Sequence, residues 1–238
     1  MTDRLLRVEG LAAYYGQLQA VRGVSFDVGA GEALAVIGEN GAGKTTLFQA
    51  ICGLHTAATG AVVFDGQQLR GLPAHTVVRR GIALVPEGRR IFPSLSVDEN
   101  LRVAEDQHRR DRSRPRRWTR DRVYQLFPDL RAAARRGGHQ ISGGQQQMLA
   151  IGRALLSDPR LLLLDEVSLG LSPVVVKTLY QALAAIRADG VTLVFVEQDV
   201  HRSIAFSDHL VCLHKGAVRL AGSSRSQSLD EVRRAYFG

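Results

Sequence analysis

Two cysteines, three lysines and one tryptophan among 238 residues are the scarcities that first narrow this chain. Cys52 and Cys212 stand far apart with no CxxC or Cys/His spacing. Neither a disulfide framework nor a zinc site is indicated, and both read as buried thiols in a reducing compartment. The longest apolar runs, Ala33 to Ile37, Leu161 to Leu164 and Val191 to Val196, are strand-sized, far short of the ~20 residues that cross a bilayer. The opening MTDRLLRVEG lacks the apolar stretch of a secretory signal, so the expected location is cytoplasmic. Aromatic residues are only 6%, and none interleave with the basic residues as a base-stacking ladder does. What is present, 45% hydrophobic and 23% charged residues, is the balance of a globular protein with a core of its own.

The formal charge of +8 suggests an anionic partner until its distribution is read. Eight arginines against Asp111 and Asp121 between Arg109 and Arg122 supply six of those charges, and the rest of the chain is nearly neutral. Such a run reads as a solvated face or loop, with Trp118 alone inside it, and nucleic acid is not expected as a partner. Serine in place of these arginines is expected to leave folding and activity largely intact. Lysine is confined to Lys44, Lys177 and Lys215, so the setting of Lys44 carries weight.

Short β-like runs crowd the first third: Leu5 to Val8, Val24 to Val28, Ala33 to Ile37, Val62 to Phe64 and Ile82 to Val85, separated by Gly-bearing turns. One helix starts near Lys44, with Leu47, Ile51 and Leu54 at helical spacing. From Ser96 to Leu156 the strand signal gives way to helical patterns at Val97 to Ala104, Asp121 to Phe127 and Gln145 to Leu156. Strands return at Leu161 to Leu164 and Thr192 to Val196 around a helix from Pro173 to Ala188, the alternation of a parallel α/β sheet. The core is expected to close at that last strand, within one domain of two lobes.

Gly38-Glu39-Asn40-Gly41-Ala42-Gly43-Lys44-Thr45 matches G-x-x-x-x-G-K-[ST] between a buried strand and a helix, the context that motif requires. Its glycines let backbone amides converge on phosphate oxygens, with Lys44 reaching the β and γ phosphates and the Thr45 hydroxyl able to ligate Mg²⁺. Leu161 to Leu164 followed by Asp165-Glu166 places two acids where an open α/β sheet binds ligands. Asp165 suits the Mg²⁺ shell, and Glu166 suits a water in line with the γ-phosphate. Ser142-Gly143-Gly144-Gln145-Gln146 opens a helix with a hydroxyl and two glycine amides at its positive end. Alone, each of the last two is common.

Together the three resemble the ATP-binding cassette proteins along the whole chain. The resemblance implies a P-loop NTPase fold, α/β with a RecA-like core, an antiparallel β-subdomain and a helical subdomain inserted at about 90–156. It implies ATP and Mg²⁺ as cofactors, with Gly38, Asn40, Gly41, Gly43, Lys44, Thr45 and Thr46 around the nucleotide. Tyr15 falls where the family stacks an aromatic on adenine, with Tyr14 or simple core packing as competing readings. Glu87 occupies the loop that usually gives a glutamine to the metal, and Gln198 occupies the usual switch-histidine position. Catalysis falls to Glu166, Lys44 and Gln198, and the metal to Thr45, Glu87 and Asp165. Ser142, Gly143 and Gly144 would contact the nucleotide of a partner subunit. Ser172 and Val167 stand where the family has aspartate and proline.

VPEGRRIF, ISGGQQQMLAIGRAL, SLGLSP, VEQD and the ending VRRAYFG resemble the LivF-type ATPases of bacterial branched-chain amino acid importers. That implies an ATPase subunit on the inner face of the membrane, working with transmembrane permease subunits, a second homologous ATPase and an extracytoplasmic binding protein. Urea, amide or lipopolysaccharide systems share the same cassette. Two rivals fit less well: a nucleic-acid-directed cassette protein lacks its tandem cassette or coiled-coil insertion here, and a P-loop kinase has no use for Ser142-Gly143-Gly144.

Overall fold

Strands that are buried from end to end belong in the middle of a covered sheet, and the described residues hold three of them. The computed structural model describes residues 4–108 and 116–237. The long strands β1 (Arg4–Tyr15) and β2 (Leu18–Gly29) pair antiparallel. The first of the wholly buried strands, β3 (Ala33–Ile37), leads through the glycine loop to α1 (Lys44–Ile51). Next, β4 (Ala58–Phe64) and the short β5 (Gln67–Gln68) complete an antiparallel sheet in the order β2-β1-β4-β5. After α2 (Ala74–Arg79) and β6 (Ile82–Val85), the chain is helical through α3 (Val97–His108), α4 (Arg120–Leu126), α5 (Pro128–Ala132) and α6 (Gly143–Leu155). It then alternates through β7 (Leu161–Leu164), α7 (Pro173–Ala188), β8 (Thr192–Val196), α8 (Val200–Phe206) and β9 (His209–His214), ending in β10 (Ala217–Ser223) and α9 (Leu229–Phe237).

The second sheet runs β10-β9-β3-β8-β7-β6, with β9, β3, β8, β7 and β6 parallel and β10 antiparallel at the edge. Its period-two alternation divides the interior. Leu34, Val36, Leu163 and Val194 face a core shared with α1 and the antiparallel sheet. Ala35, Leu162, Leu164 and Phe195 face another, shared with α3 to α7. The phosphate loop, the acids after β7 and the turn after β8 therefore emerge at one edge, beyond the carboxyl ends of adjacent strands.

Three expectations are corrected. The core does not close at β8, because β9 pairs with β3 and buries Leu210, Val211, Cys212 and Leu213. Leu54 is not on the α1 face: Gly53, at φ +69°, ends the helix, and Leu54 is exposed. The arginine run, as far as residues 116–122 describe it, is not wholly solvated surface, with Arg117, Thr119 and Asp121 exposed but Arg116, Arg120 and Arg122 half-buried, while residues 109–115 lie outside the described residues. Trp118 is fully buried. Arg120 joins Asp98 at 3.0 Å and Glu105 at 2.8 Å, and Arg122 joins Asp189 at 2.7 Å. Both thiols are free and buried, and burial pushes Cys52 up to about 12 and Cys212 to about 11.

Candidate functional site

The first turn of any α-helix leaves amides without intrahelical partners. At α1 the residue before the helix is Gly43, at φ +95°, which offers no side-chain cap. A Cβ on Gly43 would lie 2.4 Å from the Ala20 carbonyl, and one on Gly38 2.3 Å from that of Leu213, so both positions require glycine. The loop thus presents uncapped amides to an anion. Lys44, buried at 4% exposure, donates from Nζ to the Gly38 carbonyl at 2.7 Å and the Glu39 carbonyl at 2.9 Å. Its ammonium also lies 3.5 Å from Glu166 Oε1.

A cavity of about 410 Å³ opens over this loop, and Asn40, Lys44, Thr45, Glu87, Glu166 and Gln198 line it. Gly41, Gly43 and Thr46 also border it, and Gly38 sits buried behind it. Glu166 sits half-buried with φ +49°, a left-handed backbone that a β-carbon resists and that clusters at functional sites. Its Oε2 accepts from Gln198 Nε2 at 2.7 Å. Gln198, grouped with Glu166 among the catalytic residues, therefore touches that carboxylate. Gln198 Nε2 also reaches Asn40 Oδ1 at 3.5 Å.

Asp165, next to Glu166, is 2% exposed, and its Oδ1 has no hydrogen-bond partner. Burial first, then the neighbouring Glu166 and Glu87 carboxylates, push its pKa up to about 6, while Thr45 and Lys44 pull the other way. An orphaned acceptor beside a hydroxyl, facing other carboxylates, fits a hard divalent cation. Among the described residues no group of three His, Cys, Asp or Glu side chains could hold a metal. A cation here needs phosphate oxygens to complete its shell.

Tyr15 is half exposed, its ring 4.6 Å from that of His55. Its hydroxyl lies 3.5 Å from Thr46 Oγ1 and 3.4 Å from Gln49 Oε1, so the ring is held beside α1. Tyr14 is half-buried, and its carbonyl is taken by His55 Nε2 at 2.9 Å. Ser142, Gly143 and Gly144 do not line the cavity. Ser142 caps α6: its Oγ accepts from the Gln145 amide at 3.3 Å, while Gln145 Oε1 accepts from the Ser142 amide at 3.0 Å. The serine hydroxyl proton and the glycine amides stay available to an outside acceptor. Arg89 donates to Gln146 Oε1 at 2.8 Å and lies against Gly143. Val167 is packed into the core, and Ser172 precedes α7 with no capping hydrogen bond. Reading the residues in order passed over Glu197, although a glutamate directly after the apolar TLVFV strand was the available signal.

The family model described as ABC transporter matches residues 21–168. This chain belongs to the ABC transporter family. It is an ATP-binding cassette, an ATPase by family. It is 40% identical over 98% of its length to all of the high-affinity branched-chain amino acid transport ATP-binding protein BraG of Pseudomonas aeruginosa. It is 35% identical to the probable branched-chain amino acid transport ATP-binding protein LivF of Archaeoglobus fulgidus, covering 92% of each chain. A solved ATP-binding cassette of an ABC transporter superposes with a TM-score of 0.83 over 100% of both chains at 25% identity. Among the described residues no helix is long and apolar enough to cross a membrane.

Proposed function

We propose that this cassette hydrolyses ATP to drive a bacterial importer of branched-chain amino acids, on the inner face of the cell membrane. It would do so with two transmembrane permease subunits, a homologous cassette and an extracytoplasmic binding protein. The convergence of Lys44, Glu166 and Gln198 on one cavity supports the chemistry, and the similarity to BraG supports the cargo. Lys44 binds the β and γ phosphates, its ammonium held at the base of the loop by the Gly38 and Glu39 carbonyls. Glu166 orients and deprotonates the attacking water, and the Gln198 amide fixes that carboxylate while offering a donor to the γ-phosphate. Asp165, Thr45 and Glu87 would hold Mg²⁺, which would neutralise phosphate charge when bound. Tyr15 offers a face for the adenine. Ser142, Gly143 and Gly144 lie off the cavity, as groups that serve the nucleotide of a second subunit would.

Removing the gene and measuring uptake of labelled leucine, isoleucine and valine tests the cargo. Uptake is expected to fall and to return with the wild-type gene but not with Lys44→Ala. Unchanged uptake of all three overturns the assignment of cargo.

A further inference from the structure

Glu197 directly follows β8 at 5% exposure, and nothing in the proposed chemistry uses it. A buried carboxylate is costly unless hydrogen bonds and an opposite charge offset its desolvation, and an apolar side chain of similar volume is usually tolerated as well or better. Here the carboxylate is fully engaged. Its Oε1 accepts from the backbone amides of Gln198 at 3.0 Å and Asp199 at 3.2 Å. Its Oε2 accepts from Ser168 Oγ at 2.7 Å and Tyr180 Oη at 2.7 Å, with Arg202 at 3.4 Å. Burial and the adjacent carboxylate hold the Tyr180 phenol well above its ordinary range, so it stays a donor. Arg202 is shared with Asp199, at 3.1 Å.

The four hydrogen-bond donors come from three places, the turn after β7, the turn after β8, and α7, and Arg202 adds its charge from α8. Ser168 lies two residues past Glu166, and the Gln198 amide belongs to the residue whose side chain reaches Glu166 at 2.7 Å. One carboxylate therefore spans the roots of both turns whose tips meet in the cavity. We propose that Glu197 is a positioning residue: by joining Ser168 to the Gln198 amide it fixes the placement of Glu166 relative to Gln198. This rests on the hydrolytic roles proposed for those two residues.

The substitutions separate shape from charge. In Glu197→Gln the amide oxygen still accepts from the two backbone amides, and its nitrogen donates to the Ser168 and Tyr180 oxygens once their protons rotate away. Turnover is expected to stay close to wild type. Glu197→Ala leaves four donors unpaired and both turns untied, and kcat is expected to fall on the order of 10²-fold, the scale of an ångström of misplacement. ATP affinity, read by equilibrium binding, is expected to stay unchanged, because the phosphate loop is untouched. In a Glu166→Gln background, read by single-turnover hydrolysis of labelled ATP, Glu197→Ala is expected to add no further loss. Equal fractional losses in both backgrounds, or ATP affinity falling in step with kcat, overturns the proposal. Should Glu197→Ala fail to fold, Ser168→Ala removes one tie from the same carboxylate and is expected to lower kcat at constant ATP affinity. Wild-type kcat in that folded variant overturns the proposal equally. A Glu166→Gln enzyme that turns over at the wild-type rate overturns the assignment of the base, a result seen before Glu197 is changed.

Discussion

Asp165 is held in conflict: burial and two neighbouring carboxylates favour its neutral form, yet the chemistry assigned to it needs the charge. With a folded pKa of about 6 against an ordinary 3.8, the native state binds the proton more tightly than the unfolded chain. The stability this contributes is present below pH 3.8 and is lost as pH rises through about 6, so above that range ionisation costs about 3 kcal/mol. Asp165→Asn removes that cost. In thermal melts without nucleotide the variant is expected to exceed wild type in Tm at pH 8, with the gap shrinking toward pH 5. A gap that stays constant with pH contradicts the assignment. Lys44→Ala is expected to abolish hydrolysis and weaken ATP binding, because it strips the one buried cation lining the cavity among the described residues. Glu166→Gln is expected to keep ATP binding but slow turnover at least ~10²-fold, the range of a lost general base. Steady-state ATPase assays beside equilibrium nucleotide binding distinguish the two.

Among elements, those that declare themselves locally were legible and those defined by distant partners were not. The phosphate loop, the LLLLDE strand end and the Ser142 cap are contiguous, so their chemistry is written within a few residues. β9 was missed because HLVCLH begins and ends in histidine, and only its parallel pairing with β3 makes it core. The arginine run misled for the same reason. Composition gives arginine a solvated prior, but Asp98, Glu105 and Asp189, which bind Arg120 and Arg122, come from α3 and the α7–β8 turn. Arg120 also shares Asp98 with the Tyr124 hydroxyl, at 3.0 Å, which ties α4 to α3. Arg120→Ser is therefore expected to cost about 1 kcal/mol, the upper range for a part-exposed pair. That lowers Tm by about 2–4 °C in a chain of this size. Arg70→Ser, at an exposed position where the side chain meets no acid among the described residues, is the control and is expected to leave the melt unchanged. Equal melts for the two variants would return the described part of this segment to mere surface.

At the scale of the whole molecule, the decisive feature is a site whose parts do not all meet. Lys44, Glu166 and Gln198 line one cavity, while Ser142, Gly143 and Gly144 sit on another lobe with a free hydroxyl proton and helix-terminal amides. Leu169, between β7 and α7, and Val174, in the first turn of α7, are exposed, Leu169 bordering the same cavity, which leaves apolar surface where a second subunit would close over the nucleotide. If each complete site takes its phosphate loop from one subunit and its Ser142 helix from the other, two inactive variants can repair one another. Lys44→Ala spoils the loop and keeps the helix; Ser142→Arg keeps the loop and spoils the helix, placing a bulky cation where a phosphate would dock. A mixed dimer then holds one intact site and one doubly damaged site. Each variant alone is expected to be inactive, and mixing them in equal amounts is expected to restore a fraction of wild-type ATPase activity. That fraction should rise with total protein concentration as dimers fill. A mixture as inactive as its components would mean that Ser142 serves the nucleotide of its own chain, and that hydrolysis does not require the head-to-tail pair.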